Sequence, residues 1–288
     1  MSNVTKVQQI KEFMAQQGFS IKKKFGQNFL IDKNALEKIV TATEPDNNTT
    51  VLEIGPGLGV LTNKLADSAG KVISIEIDKT LESHLKELEK KRENINVVFS
   101  DALKLDLSEL LKKDISEGRK LKVTANLPYY ITTPLLFKML ESKVEFESLT
   151  LMMQLEVAQR ILASPGGKEY GNLTVAVQYY GEASMVTKVP PSCFYPQPKV
   201  DSAVINIKPR DKSVKVLDET FFFRLIKQAF SKRRKTLVNN LEPLADLSKC
   251  ELTQILEELD IDGKRRAETL SIEEFAKVSD ELIKYVKK

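Results

Sequence analysis

The sequence has one histidine, two cysteines and no apolar run approaching the roughly 20 residues of a membrane span. Each scarcity removes a class of chemistry. His84 sits in the charged stretch 79–92, where a solvated surface imidazole is the ordinary reading. Histidine-based nucleophilic triads and histidine metal sites are thereby set aside, and no metal is expected. Cys193 and Cys250 form neither a disulfide framework nor a metal-ligand spacing, which fits a reduced, cytoplasmic setting. The first residues carry lysines and glutamines rather than an apolar signal segment, so no membrane partner is expected. With no heptad and no long apolar surface stripe, the chain is expected to be monomeric.

What is present is an ordinary globular composition, 42% hydrophobic and 29% charged over 288 residues. That length allows one large domain and a small one. The net charge of +4 is modest, and its distribution says more. Residues 21–24 read Ile-Lys-Lys-Lys, and residues 224–235 hold six basic side chains and no acid. Clustered cations suit a polyanion surface, although lysine-rich faces are often only solvated.

Short apolar runs at 51–54, 71–77, 95–99, 121–125, 149–153, 183–189 and 202–207 read as strands. Helical patterns separate most of them: one after Gly59, a charged one over 79–92, one over 134–140 with proline in its first turn, and one over 156–163. This alternation predicts an α/β fold with a mostly parallel seven-stranded sheet. The last two strands have no long helix between them, so they are expected to pair antiparallel. A polar helix is expected over 5–17. Residues 208–213 read as a linker, and the chain then turns helical near 218–232, 233–240, 248–259 and 272–287. The expected domains are 1–208, the sheet domain, and 209–288, a small helical domain.

Two strand ends carry the chemistry. The first is Glu53-Ile54-Gly55-Pro56-Gly57-Leu58-Gly59. Its glycines let the backbone turn sharply and approach a ligand, and the next helix offers free N–H groups. Glu76 ends the following strand, 21 positions after Gly55, where a carboxylate accepts hydrogen bonds from ribose hydroxyls. Asp101 ends the strand after that. A dinucleotide fingerprint spaces its glycines as G-x-G-x-x-G; here the third glycine comes one residue early. That variant resembles the first motif of class I methyltransferases, whose Rossmann-like fold binds S-adenosyl-L-methionine.

The second is Asn126-Leu127-Pro128-Tyr129, after the fourth strand. As an isolated tetrapeptide it is an ordinary turn, since Asn and Pro both favour turns. At the end of this strand it fits another task. The exocyclic amino group of adenine is a poor nucleophile because its lone pair is delocalised into the ring. The Asn126 side-chain oxygen and the Leu127 carbonyl can accept its two N–H bonds, favouring a localised lone pair. Pro128 restricts the loop, and Tyr129 can stack on an extruded base. Tyr130 has packing as an equal alternative.

With these motifs in place, the chain resembles the KsgA (RsmA) family of small-subunit ribosomal RNA adenine dimethyltransferases over nearly its whole length. Further matching motifs are Lys24-Phe25-Gly26-Gln27-Asn28-Phe29-Leu30, Asp101-Ala102-Leu103, the stretch from Pro190 through Phe194-Tyr195-Pro196 to Ser202, and Phe230-Ser231-Lys232-Arg233-Arg234-Lys235-Thr236-Leu237. The resemblance implies N6-dimethylation of two adjacent adenines in a hairpin near the 3′ end of 16S rRNA. The implied partner is that rRNA within an immature 30S subunit, with a role in subunit biogenesis. It further implies that Asn28, Leu30, Gly55, Gly57, Glu76, Asp101 and Asn126 line the cofactor site. Tyr129 takes the stacking role, and Phe194 contacts the other face of the base unless it is a core aromatic.

In the helical domain, Phe221, Phe222, Leu225, Ile226, Ala229 and Phe230 form one apolar helix face. Arg224, Lys227, Arg234 and Lys235 fall opposite, as a surface for rRNA phosphates, extended by Lys264-Arg265-Arg266; a solvated face is the alternative. Three rivals share parts of this pattern. The large-subunit (23S) rRNA dimethyltransferase of macrolide resistance has the same cofactor and catalytic motifs. A non-catalytic assembly or transcription factor could keep the fold. A DNA adenine methyltransferase would need a DNA-reading domain, and none is evident.

Overall fold

The computed structural model describes residues 7, 8, 12, 26–129, 131–209 and 214–286. Most of the helix expected over 5–17, the basic run 21–24, Tyr130 and the linker residues 210–213 lie outside them.

In chain order the first half comprises β1 (Phe29–Leu30), α1 (Lys33–Thr43), β2 (Thr49–Ile54), α2 (Val60–Leu65), β3 (Lys71–Glu76), α3 (Glu82–Lys91) and β4 (Ile95–Phe99). There follow α4 (Leu107–Leu110), α5 (Lys112–Ser116), β5 (Lys120–Asn126), α6 (Thr132–Leu140), β6 (Ser148–Gln154) and α7 (Leu155–Ile161). The sheet is completed by β7 (Gly181–Val189) and β9 (Ser202–Pro209), with α8 (Asn172–Tyr180) before β7 and the short β8 (Phe194–Tyr195) between them.

Seven strands form one sheet in the order β4-β3-β2-β5-β6-β9-β7. The pairs β4/β3, β3/β2, β2/β5 and β5/β6 are parallel, and β9 runs antiparallel to β6. The expected mostly parallel, seven-stranded α/β sheet is therefore present. Every residue of β2 is buried, as a parallel strand covered on both faces must be. Consecutive winding carries the chain outward from β2 to β4, then back across to β5. The crevice outside the C-terminal ends of β2 and β5 is the switch point where such sheets bind ligands. Both chemistry-bearing motifs leave the sheet there.

The chain divides into two compact units. One runs through Ala158 and includes Ser184–Pro209; the other joins Gln159–Ala183 to Arg210–Lys288. The expected single boundary after residue 208 assigns 159–183 to the sheet domain, whereas compactness groups them with the helical unit. The difference has a packing cause: Tyr170, Val175 and Tyr179 are buried in the helical core. Tyr179 lies 5.1 Å, centroid to centroid, from Phe222, and the Tyr180 hydroxyl donates to Glu219 at 3.1 Å. The helical unit also contains α9 (Glu219–Ala229), α10 (Leu237–Leu241), α11 (Lys249–Glu258) and α12 (Ile272–Leu282). α9 is capped by Asp218, whose carboxylate accepts from Phe221 N at 2.8 Å. It buries Phe221, Phe222, Leu225, Ile226 and Ala229, each large side chain contributing about 1.5–3 kcal/mol of burial.

Candidate active site

The glycine loop is built by backbone sterics. Gly55 and Gly57 have φ of +75° and +56°, a region other residues enter only with strain. A Cβ on Gly57 would approach the Phe29 ring to 2.9 Å, so β1 packs directly on the loop. Gly57 N donates to Glu76 at 3.2 Å, and Asp78 N donates to the same carboxylate at 2.8 Å. Glu76 is 5% exposed, and its burial raises its pKa above the usual carboxylate range. Glu53, one strand away, is a scaffold group. It accepts from the Thr62 hydroxyl at 2.6 Å and the Ser74 hydroxyl at 2.8 Å, tying β2 to α2 and β3. Burial pushes its pKa up to about 7, with those two bonds opposing the shift.

The second loop begins where β5 ends. The Asn126 amide nitrogen donates to the Asn28 carbonyl at 3.0 Å. Among the described residues no hydrogen bond reaches its side-chain oxygen. Leu127 N donates to Met152 O at 3.0 Å, which holds the loop against β6, and the Leu127 side chain is 1% exposed. The Pro128 carbonyl accepts from Ile131 N at 3.1 Å and the Thr132 hydroxyl at 3.2 Å, turning the chain into α6. The Tyr129 hydroxyl and the Ser202 hydroxyl share a 2.7 Å hydrogen bond. Burial raises the Tyr129 pKa, and that bond opposes the rise.

A strap from the N-terminal side closes the site. Gln27 donates to Asp78 at 2.9 Å, and β1 pairs antiparallel with β8, matching Leu30 to Phe194. One cleft brings together Asn28, Leu30, Gly55, Gly57, Glu76 and Asp101 with Asn126, Leu127, Pro128 and Tyr129. Ile77, which is 43% exposed, and Ala102 also line it.

Three expectations change here. Phe194 does not line the cleft; it is 1% exposed and packs in the core with Leu30, Val189 and Val204. The β1–β8 pairing turns its ring inward, so in this structure it is a core aromatic rather than a base-contacting one. His84 is not simply solvated: it is half-buried, and its Nε2 lies 3.0 Å from the Leu58 carbonyl of the glycine loop. Arg234 and Lys235 are not on the helix that carries Arg224 and Lys227. α9 ends at Ala229, and they occupy the turn before α10. All four are exposed. Buried Asn240 holds that turn by donating to Ala229 O at 2.7 Å and Lys232 O at 3.1 Å. Arg265 is committed to Glu274, with one of its bonds at 3.0 Å, so it adds little free charge to the patch.

Sequence reasoning missed Gln27, Asp78 and Ser202 as site-building groups. Only Asp78 carried a local signal, an Asx-type turn whose carboxylate accepts from Thr80 N at 3.1 Å. Among the described residues, no helix is long and apolar enough to cross a membrane. Nor does any group of three or more His, Cys, Asp or Glu residues stand ready to hold a metal ion.

Comparison with known proteins places this geometry. The profile of the family described as "Ribosomal RNA adenine dimethylase" matches residues 18–284. The ribosomal RNA small subunit methyltransferase A of Bacillus mycoides is 47% identical over 98% of both chains. That of Shouchella clausii is 48% identical over 94% of this chain and 93% of its own. Among solved structures, a dimethyladenosine transferase from Plasmodium falciparum superposes with a TM-score of 0.75 at 31% identity, covering 89% of this chain and 98% of that one. The 23S rRNA methyltransferase ErmE gives 0.68 at 26% identity, covering 89% of this chain and all of its own.

Proposed function

The chain belongs to the ribosomal RNA adenine dimethylase family, and from that premise we propose the site of its reaction and the residues that perform it. The protein is an S-adenosylmethionine-dependent methyltransferase that dimethylates adenine in small-subunit rRNA. Its target is two adjacent adenosines in the hairpin near the 3′ end of 16S rRNA, met in an immature 30S subunit. It acts as a monomer in the cytoplasm.

The cleft suits the cofactor on its own chemistry. Two carboxylates, Glu76 and Asp101, stand at successive strand ends beside a loop whose positive φ at Gly55, Gly57 and Gly59 favours glycine and whose Gly57 has no room for a Cβ against Phe29. Glu76 would accept from the ribose hydroxyls and Asp101 from the adenine amino group, with Ile77 and Ala102 as apolar flanks. The glycine loop, Asn28 and Leu30 hold the amino-acid end. S-adenosylmethionine supplies a methyl group already activated by its sulfonium charge.

The observation that carries the mechanism is the Asn126–Asn28 hydrogen bond at 3.0 Å. It occupies the amide nitrogen, so the neutral side-chain oxygen is the end left to accept from a substrate amino group. The Leu127 carbonyl provides the second acceptor, with the loop held by the Leu127 N–Met152 O bond. Two acceptors on one amino group hold its hydrogens and favour a localised nitrogen lone pair. Fixed acceptors of this kind need no reorganisation as the reaction proceeds. After the first transfer only one N–H remains, and one acceptor suffices for the second. Tyr129, anchored through Ser202, stacks on the extruded base.

Asn126→Ala tests this assignment. Methyl transfer to small subunits falls by at least about a hundredfold, while S-adenosylhomocysteine binding persists, weakened far less than turnover by loss of the bond to Asn28. Unchanged turnover would remove Asn126 from the mechanism.

A further inference from the structure

Next to the cleft lies a second, shallower groove, lined by Lys104, Asp106, Ser108, Lys138, Ser142 and Lys143, with Leu105 and Leu107 behind them. Three lysines face one carboxylate. That carboxylate is already engaged: Asp106 caps α4, accepting from Ser108 N at 2.9 Å and Glu109 N at 3.2 Å. Lys104 and Lys143 are exposed, and among the described residues neither ammonium has an ion pair or hydrogen bond. No protein partner has to be displaced before these cations take up an anion, and they can do so while staying partly hydrated.

The groove is continuous with the reaction site along two walls. On α6, Leu135 lines the cleft and Lys138 lines the groove; Ile131, just before the helix, belongs to the cleft, and Ser142, just after it, to the groove. The spacing of three residues keeps Leu135 and Lys138 on one helix face. Lys138 therefore stands only about 4.5 Å further along the helix axis than Leu135. On the opposite wall, Asp101 and Ala102 line the cleft and Lys104 begins the groove. Lys138 joins the walls by donating to Leu103 O at 2.9 Å.

We propose that this groove is a phosphate-binding track, in which Lys104, Lys138 and Lys143 hold the RNA backbone beside the extruded adenosine. It rests on the reading of the substrate as rRNA. A base placed against Tyr129 drags its flanking phosphodiesters past the mouth of the cleft, and the groove offers them cations beside it. Lysines in such a track fix register without reading sequence. Lys138 has a second duty, since its bond to Leu103 O sets the segment that follows Asp101.

The test is equilibrium binding of fluorescently labelled small ribosomal subunits lacking the modification, over a potassium chloride series. The chains compared are wild type, K104E/K143E, K104Q/K143Q and the distant charge-matched control K90E/K91E on α3. The groove reversal weakens binding by about tenfold at low salt, and it flattens the slope of log K against log salt by about 2. The glutamine pair falls between, the control keeps the wild-type slope, and S-adenosylhomocysteine affinity is unchanged in all. A wild-type slope in K104E/K143E, or an equal loss in K90E/K91E, would overturn the track. Methyl transfer by the wild-type chain is followed alongside. Its absence would count against the methylation reading while leaving the binding comparison decisive for the groove.

Discussion

At the residue scale, the proposed site pins one end of a side chain, so that the other is left for the substrate. Asn126 is pinned through Asn28 O, and Tyr129 through Ser202 at 2.7 Å. Ser202 is fully buried on β9, so its hydroxyl serves Tyr129 rather than solvent. Ser202→Ala is expected to lower kcat/KM for small subunits about fivefold, the worth of one hydrogen bond of roughly 1 kcal/mol. Tyr129→Phe should match it, and the double variant should lose no more than either single change. Additive losses would show that the two hydroxyls act separately. The glycine loop, Glu76, Asp101 and the Asn126–Tyr129 loop were legible in the sequence because each follows an apolar strand at a defined spacing. Ser202 and Gln27 were not. Their partners lie 73 and 51 residues away in the chain, and a polar residue gives no local sign of a remote hydrogen bond. Phe194 misled for the converse reason: a proline-bounded loop resembles an exposed one until its pairing with β1 is seen.

At the element scale, β2, α2 and β3 are held together by one buried carboxyl, Glu53. Its folded-state pKa of about 7 lies above the ordinary glutamate value of 4.5, so between these values the folded chain keeps a proton that the unfolded chain has released. The associated stability is complete below the unfolded pKa and is lost as pH rises toward 7, by an amount on the order of 3 kcal/mol. Urea midpoints of wild type and Glu53→Gln over this range check the sign. The wild type should lose ground steadily to the variant as pH increases, whereas parallel curves would mean that Glu53 is ionised in the fold. All seven strands of the large sheet match the expected runs within two residues at each end; the buried parallel ones are unbroken apolar runs. The helix Asn172–Tyr180 has no expected counterpart, because its Leu-Thr-Val-Ala-Val run is β-branched and short. It forms because its buried face joins the aromatic core of the helical unit, where tertiary packing outweighs propensity. The basic turn after α9 was read as helix for a related reason. Its lysines and arginines are good helix formers, and only the buried Asn240 reveals that the chain stops and turns there.

At the scale of the whole molecule, a sheet unit carries the chemistry and a helical unit carries an exposed cationic turn. Charge reversal at Arg234 and Lys235 should weaken binding to small subunits in a salt-sensitive way, leaving cofactor affinity intact. Wild-type affinity at every salt concentration would make the turn a solvated face only. The central claim is that this scaffold delivers two methyl groups to adenines of small-subunit rRNA. The measurement that bears on it most directly is transfer of labelled methyl from S-adenosylmethionine to small subunits lacking the modification. Large subunits are run in parallel, and the labelled base is mapped. The account predicts label as N6-dimethyladenine in the hairpin near the 3′ end of 16S rRNA and none in large subunits; label confined to 23S rRNA, or no label in either, would contradict it.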